Sequence, residues 1–219
     1  MNAPTHNVIS IRDVSKSFKG TPVLKKVTLA IAPGRTYGLV GANGSGKSVL
    51  LKLMCGFIRP DEGEVVIDPA YLSSGRTFPE GFGVTINGPA YLPNLSAEAN
   101  LMELAAIRGK ITIDQVREAL QLLGLETRPR QKARTFSLGM KQKLSIAQAI
   151  MEDPAVLLLD EPFNGLDESS VVRVKEILRN LRAKGRTIVF TSHNRQDIDE
   201  LCDELLVIDS GSIRAETRR

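Results

Sequence analysis

Residues 41–48 read Gly41-Ala42-Asn43-Gly44-Ser45-Gly46-Lys47-Ser48, a G-x-x-x-x-G-K-S run set between two apolar stretches. The stretch before it, Thr36-Tyr37-Gly38-Leu39-Val40, reads as a buried strand, with Gly38 leaving room for a close neighbour. The stretch after it, residues 49–54, has helical character and stops at Gly56, a residue suited to the left-handed end of a helix. Strand, glycine-rich loop and helix in that order is the context in which such a run cradles phosphates. Glycines let backbone N–H groups curl around phosphate oxygens without interference from a Cβ. Lys47 would supply a point charge to the β- and γ-phosphates, and the Ser48 hydroxyl is placed to ligate Mg²⁺. The chain is therefore expected to bind a nucleoside triphosphate.

The pattern around this loop alternates strand and helix. Val8-Ile9-Ser10-Ile11-Arg12-Asp13-Val14 alternates apolar and polar residues, and a turn near residues 19–22 leads to a second strand around 27–31. Further strands are expected at 64–67, 82–86, 156–159, 187–191 and 205–208, with an irregular connection over 68–82. Residues 94–152 read instead as helices. Leu101, Leu104 and Ala105 share one helical face, Thr112 and Gln115 form a capping box, Gly124 closes that second helix, and Ser137 opens a third. Helices follow at about 168–184 and 195–202. The expected fold is α/β: a mainly parallel sheet covered on both faces, N-terminal antiparallel strands and an inserted helical lobe.

At 219 residues the chain can bury a full core and reads most simply as one domain spanning residues 1–219. Its 42% hydrophobic and 25% charged content is ordinary for a soluble protein. No stretch has the apolar length of a membrane span, and the polar start lacks a signal-peptide core. A cytoplasmic location is expected unless a partner holds the chain at a membrane. The net charge of +4 is modest, and the basic cluster Arg128, Arg130, Lys132, Arg134, Lys141 and Lys143 reads as a solvated face. No basic stripe interleaved with aromatics points to nucleic acid. Cys55 and Cys202 read as buried free thiols. The chain ends soon after its last expected strand, which leaves no room for a C-terminal regulatory domain.

A second site lies at Val156-Leu157-Leu158-Leu159-Asp160-Glu161-Pro162. Its two carboxylates stand at the C-terminal end of a buried strand, where open α/β sheets bind ligands. Asp160 could hold Mg²⁺ through its water shell, and Glu161 could polarise an attacking water. Between the two sites, Phe136-Ser137-Leu138-Gly139-Met140 would open a helix with unpaired N–H groups, a second anion site. Two phosphate-binding surfaces for one triphosphate suggest that each nucleotide is shared between two molecules.

The order of these motifs, followed by Asn164-Gly165-Leu166-Asp167 and Thr191-Ser192-His193, resembles an ABC-transporter ATP-binding subunit over roughly residues 8–213. The resemblance implies a P-loop NTPase core that binds ATP and Mg²⁺ and hydrolyses ATP. Residues 41–48 would be the Walker A loop, with Val49 beside it, and Asp160 with Glu161 the Walker B pair. Phe18 would stack on adenine. Ser137, Gly139 and Met140 would contact the γ-phosphate held by an opposite subunit, and Asp167 would join the two sites. His193 would be the switch histidine beside the γ-phosphate. A transmembrane permease and a second ATP-binding subunit are the implied partners, placing the chain at the inner face of the membrane. Within the superfamily, the Phe-Ser-Leu-Gly-Met signature is closest in style to bacterial drug, bacteriocin and lantibiotic exporters.

One departure bears on catalysis. The family carries Gln or Glu where this chain has Asn87, a shorter, uncharged side chain whose carbonyl could still reach the metal directly or through water. Slower or more partner-dependent hydrolysis is expected, with Glu161 and His193 both retained. Two readings compete with a transport engine: a dimerising, ATP-binding signalling module with weak turnover, and a soluble ABC ATPase of translation or repair. Asn194-Arg195-Gln196-Asp197 resembles the guanine-reading motif of GTPases only loosely, because Arg replaces its Lys.

Overall fold

The computed structural model describes residues 6–72, 78–125 and 130–217. Arg128 and part of the expected 68–82 connection lie outside these residues. The polar start was read over residues that are likewise only partly described.

An antiparallel layer comes first. β1 (Ile9–Phe18) pairs with β2 (Thr21–Ile31) on one edge and with β4 (Glu62–Ile67) on the other. The β1–β2 turn is Lys19-Gly20, both with positive φ (49° and 80°), the geometry that matches the twist of a tight hairpin. Pairing therefore resumes at once, and β2 begins at Thr21 rather than near residue 27. Pro22 is tolerated there because β2 is an edge strand.

The second sheet runs β5-β6-β7-β3-β8-β9. β3 (Thr36–Val40), β5 (Phe82–Thr85), β6 (Val156–Leu159), β7 (Thr187–Thr191) and β8 (Glu204–Asp209) pair in parallel. β9 (Ser212–Thr217) adds an antiparallel edge that the sequence reading did not anticipate. It follows a Ser210-Gly211 turn with φ of 50° and 84°. Its polar alternation, Ser212, Arg214 and Glu216, belongs to a sheet edge and hides the strand from an apolar search.

β6 illustrates how the sheet is held. All four of its residues are fully buried, and they alternate between two cores. Val156 and Leu158 face a core with Leu39, Leu50 and Val189; Leu157 and Leu159 face one with Leu144, Ile146 and Phe190. A strand buried on both faces must be apolar throughout. Truncating one such leucine to alanine costs about 2–5 kcal/mol.

α1 (Lys47–Met54) follows β3, and Gly56 ends it with φ 76° as expected. α2 (Ala97–Arg108), α3 (Ile113–Leu122) and α4 (Leu138–Ile150) all lie between β5 and β6 in sequence, although those strands are direct neighbours. The helical block thus leaves the sheet and returns to it. The Thr112–Gln115 capping box forms in both directions, with Thr112 N–H donating to Gln115 Oε1 at 2.9 Å. α5 (Glu168–Ala183) and α6 (Arg195–Leu201) complete the chain. A Cβ at Gly38 would overlap Cys202 and Ile198, so the small residue in β3 is what lets α6 pack there. Cys55 and Cys202 are free thiols whose pKa values burial pushes up to about 11 and about 12.

Candidate nucleotide-binding site

The loop from Gly41 to Ser48 joins β3 to α1, and its glycines are required by its path. Gly44 and Gly46 have φ of 78° and 106°, which L-residues rarely adopt. Gly41 faces Ser45 Oγ and the Ile208 carbonyl so closely that a Cβ there would clash with both. Ala42, Asn43 and Gly44 are exposed, whereas Lys47 is buried and its ammonium donates to the carbonyls of Gly41 (2.8 Å) and Ala42 (3.1 Å). Val49 packs on the core from the first turn of α1. Ser45 Oγ is buried without a protein partner, a donor inside the loop suited to a phosphate oxygen.

Ser48 connects this loop to the acidic strand end. Its hydroxyl donates to Asp160 Oδ2 at 2.6 Å, and Asp160 Oδ1 accepts from Thr191 Oγ1 at 2.9 Å. The same Thr191 oxygen accepts the Glu161 N–H at 2.7 Å. Glu161 Oε2 lies 3.0 Å from His193 Nδ1. Hydroxyl, carboxylates and imidazole thus form one continuous set from α1 across the C-terminal ends of β6 and β7. Glu161 itself adopts φ 49°, a strained conformation for a non-glycine residue. It is held there from both sides, by Thr191 at its N–H and by Gln142 of α4, which donates to the carbonyls of Glu161 (3.2 Å) and Pro162 (3.1 Å).

Asn87 joins the set through its backbone. Its N–H reaches Asp160 Oδ2 at 3.4 Å, and its φ of 66° precedes Gly88 at 84°. The paired oxygens of Ser48 and Asp160 suit a hard divalent cation, which commonly takes only one or two protein carboxylates. The sequence motifs contain Thr191 and Gly165 without assigning either a role, and none is assigned to Gln142. A hydroxyl at a strand end beside an acidic pair is the one signal that could have pointed to Thr191.

The Ser137 turn and Phe18 stand apart from that hydrogen-bonded set. Ser137 caps α4 by accepting Met140 N–H at 3.2 Å, and Leu138 beside it is 63% exposed. The start of α4 at Ser137 and Leu138 is therefore exposed, while the Met140 N–H is taken by the Ser137 cap. Gly139 packs so tightly on the Gly165 carbonyl that a Cβ would intrude. Asp167 caps α5 through Ser170 N–H at 2.8 Å, and hydrogen bonds from Ser170 and Ser169, aided by Lys143, hold its pKa down at about 2. Phe18 is half-exposed at the end of β1, with Lys16 Nζ 5.5 Å from its ring centre. Arg130, Lys132 and Arg134 of the basic cluster are exposed, whereas Lys141 and Lys143 are half-buried, with Lys141 Nζ 5.3 Å from the ring centre of Tyr91.

Known proteins share both the sequence and the fold. A family model described as "ABC transporter" matches residues 24–164. The uncharacterised ABC transporter ATP-binding protein YybJ of Bacillus subtilis is 38% identical over 211 residues, covering 96% of this chain and 97% of YybJ. The bacitracin transport ATP-binding protein BcrA of Enterococcus faecalis is 35% identical, covering 95% of this chain and 68% of BcrA. The dimeric post-hydrolysis structure of the ATP-binding cassette MJ0796, bound to ADP and Pi, superposes with a TM-score of 0.86 at 25% identity, covering 96% and 99% of the two chains. The sequence likeness and the shared fold show that the chain belongs to the ABC transporter family as an ATP-binding domain with ATPase chemistry.

Proposed function

We propose that this chain is the ATP-hydrolysing engine of a separate transmembrane permease, working as a nucleotide-sandwich dimer and most consistent with export. The observation that carries the reading is the hydrogen-bonded line Ser48–Asp160–Thr191–Glu161–His193, set against a solvent-facing Ser137 turn. One copy offers loop, acids and histidine; the exposed helix N-terminus is free to meet the nucleotide of another copy.

In this mechanism Lys47 and the loop N–H groups hold the β- and γ-phosphates, and Phe18 offers a face for the base. Ser48 and Asp160 would hold Mg²⁺, which when bound neutralises charge on the phosphates. Glu161 orients the attacking water and draws its proton, its carboxylate kept in place by His193 and its strained backbone by Thr191 and Gln142. The Ser137, Gly139 and Met140 turn supplies N–H donors to the γ-phosphate across the dimer. Asp167, capping the helix beside that turn, links the two sites.

The permease contact is best accommodated by an apolar groove of about 310 Å³ between α2, α4 and β5. Its rim includes Phe57, Phe78 and Ile107, each more than half exposed, with Phe57 and Phe78 edge-to-face at 5.6 Å. β5 lines the groove and ends two residues before Asn87, so an occupant could act on the acidic pair through that strand. Export is supported by the Phe-Ser-Leu-Gly-Met signature, and antibiotic transport by the likeness to BcrA.

Asn87 also favours a second reading, an ATP-dependent dimerising module with weak turnover. Replacing Glu161 by Gln tests the shared-site mechanism: ATP binding persists, hydrolysis falls at least a hundredfold, and sedimentation detects a nucleotide-bound dimer. A variant that remains monomeric at saturating ATP rejects the shared site. Permease-stimulated turnover of the native chain favours the engine over the module.

A further inference from the structure

α5, α6 and the loop between β7 and α6 enclose a charged cluster that phosphate binding does not use. Lys175 of α5 is 6% exposed and Asp197 of α6 is 3% exposed, and Lys175 Nζ lies 2.9 Å from Asp197 Oδ1. The other oxygen of Asp197, Oδ2, accepts the Ser192 hydroxyl at 2.9 Å. That hydroxyl, equally buried, accepts the Asn194 N–H at 3.0 Å. Ser192 and Asn194 are the residues on either side of His193. One carboxylate therefore pins the backbone both before and after the histidine whose ring meets Glu161.

Lys175 reaches the same site by a second route. Its ammonium sits 5.9 Å from the ring centre of Phe163, two residues beyond Glu161, and Phe163 packs edge-on against Phe190 of β7. Glu200 takes a further hydrogen bond from Lys175 at 3.0 Å and one from Arg179 at 3.1 Å. Burial by itself would lower the Lys175 pKa, yet the hydrogen bonds from its ammonium to Asp197 and Glu200 outweigh it and the net shift is upward. By its geometry the pair is an ion pair inside the fold. Desolvating two charges is a costly way to fill space, and apolar residues of similar volume often serve packing as well or better. What an ion pair supplies and an apolar pair does not is direction: Asp197 spends one oxygen on Lys175 and the other on the histidine turn.

We propose that Lys175 and Asp197 are positioning residues for ATP hydrolysis. The pair fixes the Ser192–Asn194 turn so that His193 meets Glu161, and through Phe163 it braces the segment that follows Glu161. The inference rests on Glu161 and His193 acting as described under Proposed function.

The test uses the full chain, in native form and as Ser192→Ala, Asp197→Asn, Lys175→Met and the double variant Lys175→Met/Asp197→Leu. The double variant removes both charges, so it avoids leaving one buried and unpaired; Ser192→Ala leaves the ion pair in place. Three quantities are read: kcat for ATP, the Kd of a fluorescent ATP analogue, and the ¹⁵N resonances of the His193 ring. The chain has only two histidines, so a His193→Ala sample assigns the ring signals. The expected result for Ser192→Ala and for the double variant is a tenfold or greater loss of kcat, a Kd within about twofold of native, and displaced His193 resonances. A further double variant, Ser192→Ala/Asp197→Asn, is expected to lose no more kcat than the larger of its two single losses, as a shared path requires. Native kcat together with unmoved His193 resonances in both variants overturns the proposal. A native chain that hydrolyses no ATP, or a Glu161→Gln variant that still does, rejects the catalytic reading instead, and the ring resonances then decide the positioning by themselves.

Discussion

Glu161 occupies a left-handed backbone conformation that a side chain ordinarily avoids, at a cost of about 1–3 kcal/mol. Thr191 and Gln142 bear that strain, which directs the carboxylate at His193 instead of letting it follow the strand. Asn87 is also left-handed, a conformation that Asn tolerates better than Gln or Glu, and its N–H already touches Asp160, so the position is built into the site while its side chain is short. Lengthening it tests how much reach matters. Asn87→Gln is expected to raise permease-coupled ATPase severalfold with little change in ATP affinity, and Asn87→Glu to alter its Mg²⁺ dependence as well. Unchanged basal and coupled rates in both variants would show that the shorter side chain is immaterial. Asp167 carries a pH signature. Its folded pKa of about 2 is below the ordinary carboxylate value near 3.9, so the stability it adds is complete above about 3.9 and disappears as pH falls through 2. Urea midpoints of native chain and Asp167→Asn should differ by a constant amount at pH 5–7 and converge as pH drops below 4.

Elements are positioned by close approaches as much as by apolar area. Gly83 in β5 lies against the Ala149 carbonyl of α4, where a Cβ would overlap it, so this glycine seats the helical block on the sheet edge. Gly83→Ala is expected to cost about 1–3 kcal/mol, the range for overpacking a tight contact, read as a lowered urea midpoint. Because α4 also carries Gln142 and the Ser137 turn, ATPase should fall even where the variant remains folded. The parallel strands were legible in sequence because each is a short, continuously apolar run, and α3 was legible because both members of its capping box are present in order. β9 was not, since its alternation of Ser212, Arg214 and Glu216 with Ile213 and Ala215 is short and puts a single large apolar side chain on the core. The loop, the acidic pair and His193 could be placed as separate motifs. Their joining through Thr191 could not, because that contact depends on strand register between β6 and β7, which no local pattern encodes.

At the scale of the molecule, β5 connects the groove it lines to Asn87, whose N–H reaches the acidic end of the neighbouring strand β6. Phe82, Gly83 and Val84 line the groove, and Asn87 follows on the same path to Asp160. The aromatic and aliphatic side chains at its rim leave more than half of their surface in solvent, an apolar patch of the kind that marks an interaction site. No helix among the described residues is long and apolar enough to cross a membrane. Charge placed on the rim separates coupling from chemistry. Phe57→Asp with Ile107→Asp should lower stability by no more than about 1.5 kcal/mol, the upper range for the one aromatic pair it removes. ATP affinity and basal hydrolysis should stay within twofold of native, because neither residue belongs to the loop or the acidic pair. Co-purification with the permease and permease-stimulated ATPase should both be lost. Retained stimulation in that variant would place the permease contact elsewhere on the surface, and loss of basal hydrolysis with it would mean that the rim supports the site directly.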